Sequence, residues 1–455
     1  MNQKKRCHVT MILHGAAKSS WVLLFTLFPR LRVSLSIWVM MLIIVVILFY
    51  QTLKWSKTWY CFDQNYLILQ TGLLFVRKVF VPIDRIRAIR VEQSLFHRLC
   101  ATADFHVHSG GFSRWHRYKD TIALTLSVRV ATQLQETIFP AVSGSFEQRT
   151  ATVKDHLKNA LFQDKRAYFY LLTPTLSAFL GYFLETRGRV FSILFSEGKW
   201  MELFSVFSLI FPILITVWLA GFIHNFISNL VSYHRFTLRR DSDRLTIRHG
   251  LLTRQRIVIP IRHIHGLLFD SPLPMRLAGL STPILCAAGY GNQKNKRAFL
   301  FPIVSARGAD DLLNRFFPEF RSTVPPLRPH RRALRSFLLA PVLVVLSLVF
   351  IACLIDIWMS FIFIMIGIPA GILYGLLRYK NASFGQDQRV MQVSGGGLIR
   401  NRLLAGASGV QLLKCTQNPF QKRRGVCSVA PRIHRTPASK NMIARHIEIE
   451  PLPLP

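Results

Sequence analysis

The chain repeats itself at a distance of 178 residues, and no other feature limits its fold as much. Gly72-Leu73-Leu74 returns as Gly250-Leu251-Leu252, and Val81-Pro82-Ile83 as Ile259-Pro260-Ile261. Arg98-Leu99 returns as Arg276-Leu277 and Phe139-Pro140 as Phe317-Pro318, all in register. Solenoid units run to about 20–50 residues, so a period this long is a domain plus a linker. The chain carries a duplicated module, and its function must suit a module used more than once.

What lies between the copies predicts the solvent. Stretches 33–50, 167–184, 203–227, 337–354 and 357–377 are almost free of charge, and a helix crossing a bilayer needs about 20 mostly apolar residues. Soluble cores rarely hold such runs. Pro174, Pro212, Pro341 and Pro369 fall within them, but spanning helices tolerate proline where neighbours re-satisfy the freed carbonyls. The predicted organisation is an N-terminal segment, 1–53, with one or two membrane helices; a module at 54–150; a helix pair within 167–227; a second module at 228–320; a helix pair within 337–377; and a third module at 378–455, degenerate or truncated.

A pair of spans returns the chain to the side it left, so the copies are expected on one face. Lysine and arginine accumulate on the cytoplasmic side. The copies are basic and the connection at Asp356 carries no cation, which predicts cytoplasmic modules. The start admits several readings, an amphipathic interfacial segment or a shortened first span among them. With 33–50 as the sole first span, Lys4, Lys5 and Arg6 lie outside, against the charge rule; if 21–28 dips into the membrane and turns at Pro29-Arg30, they stay inside.

A formal net charge of +36 over 455 residues invites a nucleic-acid reading. Basic domains tethered beside anionic lipid explain it better, and no zinc knuckle or aromatic RNA-binding strand is present. Seven cysteines without CxxC pairing fit neither a disulfide framework nor structural zinc.

Within a copy, short β-branched and aromatic runs are punctuated by Gly and Pro, the pattern of an antiparallel sheet or small barrel. The last part of a copy differs from its strands. Residues 127–139 begin with Ser, place Val130, Leu134 and Ile138 on one face and stop before Pro140, and 305–317 repeat this with Ala309, Leu312 and Leu313. Both read as capped amphipathic helices. The third copy retains Gly395-Gly396-Gly397 and the run from Gln417 to Gly425, while Ala405-Gly406-Ala407 stands where Val/Ile-Pro-Ile is expected and no closing helix is legible.

A strand ending in Gly-Leu-Leu, a strand centred on Val/Ile-Pro-Ile, a Gln-Ser motif with a downstream Arg-Leu and a closing helix, all flanked by spans, resemble the bacterial membrane-flanked PH-like domain (bPH2) family in its multi-copy, YdbT-like form. The resemblance implies an α+β membrane protein in which transmembrane helical hairpins alternate with PH-like antiparallel β-barrel or sandwich modules, each plugged by a C-terminal helix. It implies a bacterial plasma (inner) membrane location. It also implies a non-enzymatic role in membrane-surface binding or protein assembly, in envelope stress or resistance to membrane-active peptides. A transport or lipid-handling component regulated by its modules is the alternative, disfavoured by the scarcity of ionisable groups within the spans.

Candidate membrane- or anion-contacting residues are Arg114, Trp115, Arg117, Tyr118 and Lys119 in one hairpin tip, and Lys294, Lys296 and Arg297 in its counterpart. Cations there would meet phosphates while the aromatics sit at headgroup depth. Against this stands an ordinary solvated hairpin. Arg98, Arg276, Lys422 and Arg423 follow the Gln-Ser type motif and are candidates for anion or partner contact, or for satisfying carbonyls at a turn. His106 and His108, two apart on a strand beside Asp104, share a face as metal ligands would, and His263 and His265 repeat the spacing. No third donor completes either set, so no metal, cofactor or catalytic residue is expected. Expected partners are anionic membrane lipids and another membrane-flanked PH-like protein or a second copy of the chain, with no nucleic acid.

Overall fold

The computed structural model describes residues 5–16, 33–63, 65–73, 75–109, 121–140, 146–162, 216, 219–287, 299–322, 324–355, 361, 363–433 and 442–448. The first copy supplies strands β1 (Lys5–Arg6), β2 (Trp59–Phe62), β3 (Tyr66–Thr71), β4 (Arg77–Pro82), β5 (Ile86–Gln93), β6 (Thr102–Ser109) and β7 (Thr121–Ser127). The second supplies β8 (Glu147–Thr150), β9 (Thr237–Arg240), β10 (Arg244–His249), β11 (Arg254–Pro260), β12 (Ile264–Pro272), β13 (Leu280–Ala287) and β14 (Val304–Ser305). The third supplies β15 (Ser383–Gln386), β16 (Val390–Gly395), β17 (Ile399–Gly406), β18 (Val410–Thr416), β19 (Val426–Ile433) and β20 (Ala444–Glu448). All pair antiparallel. Closing helices occupy Val128–Ile138 and Ala306–Phe316, and the second is capped by Ser305 Oγ, which accepts from Gly308 N.

The repeated glycine has a backbone reason. Gly72, Gly250 and Gly396 have φ of 123°, 107° and 105°, a region that favours glycine. A side chain at any of them would strike the carbonyl oxygen three residues on, at Phe75, Thr253 and Ile399 respectively. Each copy therefore makes the same tight turn between its second and third principal strands.

The modules are not separate barrels. Strand β5 of the first pairs with β11 of the second, merging two half-sheets into one of order β7-β6-β5-β11-β10-β9-β8. The join recurs one module later, where β12 pairs with β17 in the sheet β14-β13-β12-β17-β16-β15. An unpaired strand edge is a liability, and at both seams the neighbouring module covers it. Side chains follow the backbone. Val258 of the second module packs in the first module's core, and Ala88 of the first and Leu404 of the third pack in the second module's core.

A second recurring device brackets the helical segments. Before each, a short strand or bridge lies against the first strand that follows it: Lys5 opposite Tyr60, Arg149 opposite Leu238, and Leu327 opposite Phe384. Both ends of every excursion, 7–58, 151–236 and 328–383, are thus stitched to one sheet. Among the described residues one helix, Leu334–Leu354, is long and apolar enough to cross a membrane, and Met41–Ser56 is a shorter apolar helix. Of the stretches read as spans, 167–184 lies outside the described residues, and 203–227 is described only at 216 and 219–227. Helix Leu334–Ile355 packs against Ile368–Asn381, where Gly371 and Gly375 lie four apart. A Cβ on Gly375 would come within 2.9 Å of the Phe337 carbonyl oxygen, the close approach that small residues permit between apolar helices.

Candidate functional site

The short helix after the fourth principal strand of each module carries predicted cations. It is Leu95–Leu99 in the first, capped by Ser94; Leu273–Leu277 in the second; and Pro419–Lys422 in the third, closed by a reciprocal Asn418–Gln421 capping box. Arg98, Arg276 and Lys422 hold equivalent places, yet their surroundings differ. Arg98 Nη1 donates to the Leu251 carbonyl at 3.1 Å, so it clasps the first module to the Gly250 turn of the second. Arg276 sits at the next seam near Arg400, whose guanidinium pKa is lowered by burial and then by Arg276, Arg402 and Arg328. Lys422 is exposed.

Arg423 has a different setting. With Arg424, Arg331 and Arg335 it lines a cavity of about 950 Å³ at the foot of helix Leu334–Ile355, alongside His446 and Glu448. One carboxylate among four guanidiniums leaves the cavity cationic. Arg424 Nη1 donates to Ser336 Oγ at 2.7 Å, holding the third module to the first turn of the helix. His446 closes the inner wall. Its ring meets Phe337 edge-on at 4.9 Å, and Gln421 Nε2 lies 3.3 Å from its Nδ1. Burial and then Arg445, Arg424 and Arg378 lower its pKa, so it adds no charge at neutral pH. Its φ of 56° is left-handed, a conformation that costs about 1–3 kcal/mol and clusters at functional sites. The cavity suits a phosphate-bearing group, for which arginine offers planar paired donors.

The turns at Gly250 and Gly396 each lie against the end of the helix that precedes their module. Gly250 N and Leu251 N donate to His234 O and Val231 O at the end of the preceding helix, and Asn381 Nδ2 donates to Gly396 O and Gly397 O at the end of another. Leu251, Leu252 and Leu398 on these turns are exposed, as is Leu73 on the turn at Gly72. The second and third modules thus show apolar side chains beside the end of a helix.

One cluster pairs distant residues. His97 Nε2 lies 3.2 Å and His14 Nε2 3.9 Å from Asp104 Oδ2, with the two rings 5.0 Å apart. Thr102 Oγ1 contacts His97 Nδ1 at 2.9 Å, and Thr125 Oγ1 donates to Asp104 Oδ1 at 2.8 Å. The three donor atoms lie within 4.8 Å of one another, so this set, rather than His106 with His108, is the one whose chemistry would suit a metal. The equivalent positions hold Met275 and Thr282 in the second module and Gln421 and Ser428 in the third, also in contact. Sequence separation hid His14, 90 positions from Asp104. His106 instead stands opposite Arg90, and His108 is pushed down to about 3 by burial, then Arg90 and His106. His263 is lowered to about 4 by burial, then Arg262, Arg87 and His265. These cationic neighbours oppose a metal. The predicted tip residues Arg114, Trp115, Arg117, Tyr118, Lys119, Lys294, Lys296 and Arg297 lie outside the described residues.

A family model described as "Bacterial PH domain" matches the chain three times, over residues 21–142, 178–316 and 336–449. The chain is also 20% identical over 414 residues to the "UPF0699 transmembrane protein YdbT" of Bacillus subtilis (strain 168), covering 87% of this chain and 83% of that one. Apart from β1 and β8, the three sets of strands fall within the three matches. The chain belongs to the bacterial PH domain family, in which it carries three copies of the domain.

Proposed function

We propose that this chain is a multi-pass protein of the bacterial plasma membrane that holds its three PH-like modules side by side on the cytoplasmic face and binds anionic headgroups there, without catalysis. The observation that carries the reading is the cavity walled by Arg331, Arg335, Arg423 and Arg424 at the foot of an apolar helix of membrane-crossing length. A lipid phosphate at the membrane surface would stand at that depth. The stitched ends of each excursion support a shared face, and Lys5 opposite Tyr60 favours the reading with the basic start on the module side. The setting implied by the resemblance is envelope stress or resistance to membrane-active peptides.

The test is lipid retention by the detergent-solubilised full chain, read by native mass spectrometry with added phosphatidylglycerol or phosphatidylcholine. Basic groups at such a surface contribute about 1 kcal/mol each. Replacing Arg423 and Arg424 by Gln should weaken phosphatidylglycerol retention by about tenfold or more, and leave phosphatidylcholine unchanged. Inorganic phosphate as competitor separates a headgroup from a free anion. Equal retention of phosphatidylglycerol by both proteins would reject the reading.

A further inference from the structure

The two seams share one register. Across the first, Ile89 stands opposite Val258, Val91 opposite Arg256 and Glu92 opposite Gln255. Across the second, Leu267 stands opposite Leu404, Phe269 opposite Arg402 and Asp270 opposite Asn401. The second set lies 178 positions after the first on one strand, as Gly250 follows Gly72, and 146 after it on the other, as Gly396 follows Gly250. Each module therefore has a donor edge, its fourth principal strand, and an acceptor edge, its third. The joining operation is a head-to-tail repeat.

Such a repeat leaves one of each edge over. Strand β4 of the first module ends the sheet β1-β2-β3-β4, and β18 of the third ends the sheet β18-β19-β20. Their exposure shows what the paired equivalents gain. Phe80 on β4 is 58% exposed, whereas the equivalent Val258 and Leu404 are at 0% and 1%. On β18, Gln411, Leu412, Lys414, Cys415 and Thr416 are all exposed, while most of β5 and β12 is buried. Lys78 on β4 occupies the place of Arg256 and Arg402, so the free edge keeps the seam's cation.

We propose that β18 of one chain pairs with β4 of a second copy of the same chain, extending the array of modules across molecules in the register of the internal seams. Continuity selects the occupant: among the described residues, the strand edge that has the acceptor's sequence position and ends its sheet is this chain's own β4. The register places Leu413 opposite Phe80, Cys415 opposite Lys78 and Thr416 opposite Arg77. As at the first seam, five residue pairs form between the strands. A head-to-tail contact of this kind does not close on itself in a pair of molecules; it propagates as a row or closes as a larger ring. The inference uses the one-face arrangement proposed above, because the second copy must present its first module on the same side of the membrane.

The register supplies its own reporter, because Cys415 is native and exposed. Two differently tagged full-length chains are co-expressed, one carrying K78C with C415S, the other unchanged. Membranes are treated with copper phenanthroline. The expected result is a disulfide-linked product bearing both tags with K78C, and at least a fivefold smaller yield when V79C, whose side chain points to the other face, replaces it. Lys78 and Val79 are not fully buried, so both variants are expected to fold, and F80D should abolish the K78C product. No mixed-tag product with K78C, an equal product with V79C, or a product independent of Cys415 would each overturn the proposal. If the cross-link fails while phosphatidylglycerol retention still depends on Arg423 and Arg424, the self-pairing falls and the headgroup reading stands. A cross-link to a different PH-like protein in place of the tagged copy also overturns it.

Discussion

Ile89 of the first module and Val258 of the second face each other across the first seam, and neither exposes any surface. Val258 packs in the core of the first module and not in that of its own. Each of the two cores therefore holds a residue of the other module, Val258 in the first and Ala88 in the second, which makes the modules one cooperative unit. Val258→Ala should destabilise by about 1–3 kcal/mol and do so for both modules together. Limited proteolysis in denaturant, followed by peptide mapping, checks this. Loss of protection in the second module alone would contradict it.

The turn glycines give a sharper contrast. Gly250→Ala must place a Cβ against the Thr253 carbonyl at a φ of 107°, so it should cost about 1–3 kcal/mol. Gly221→Ala, where nothing lies within 4 Å of the added carbon, should be neutral or slightly stabilising, because alanine favours helix. Thermal unfolding of the two variants in detergent reads the difference.

His108 is held neutral, with its pKa lowered to about 3 by burial, Arg90 and His106. A histidine whose folded pKa lies below its unfolded value of about 6.5 binds a proton more readily when unfolded. Stability is therefore full above about 6.5 and is lost as pH falls towards the folded value. His263, lowered to about 4, acts in the same sense. His108→Gln should flatten the fall in stability between pH 6 and pH 4, by at most about 1.4 kcal/mol per pH unit. Denaturant titrations at several pH values measure it, and an unchanged slope would count against the assignment.

The cluster of His14, His97 and Asp104 fastens residues 10–16 to the first module, and Trp55 Nε1 donates to the Cys7 carbonyl nearby at 2.8 Å. Cys7 is buried, and burial raises its pKa to about 11, so the thiol should resist maleimide at neutral pH. Asp104→Ala should release the segment and speed Cys7 labelling about tenfold or more. Labelling that stays slow in the variant would show that the cluster does not hold the segment.

What the sequence made legible follows from what is local. Gly72, Gly250 and Gly396 announce a turn because only glycine suits their backbone, and the helices after Ser127 and Ser305 announce themselves by cap and period. The seams were not legible. Alternation along β11 says that Val258 faces a core, but no local signal says that the core belongs to another module. The same blindness explains the site. Arg423 was picked out by its run of cations, whereas Arg331, Arg335 and His446 reach the cavity from other segments. The sequence leaves Arg98 open to an anion, a partner or turn carbonyls; the carbonyl it meets, Leu251, belongs to the next copy, which no local signal announces.

The account stands on all three modules occupying one face of the membrane. Asn65, Asp243 and Arg389 are equivalent, exposed residues in the turn after each module's first principal strand, and each turn accepts the same backbone hydrogen bond, from Ile83, Ile261 and Ala407. Cysteine is placed singly at these positions, with the exposed Cys353 and Cys415 changed to serine, and labelled with an impermeant maleimide in inside-out and right-side-out vesicles. The prediction is labelling of all three in inside-out vesicles and none in right-side-out vesicles until they are permeabilised. Labelling of any one from the opposite face would contradict the account.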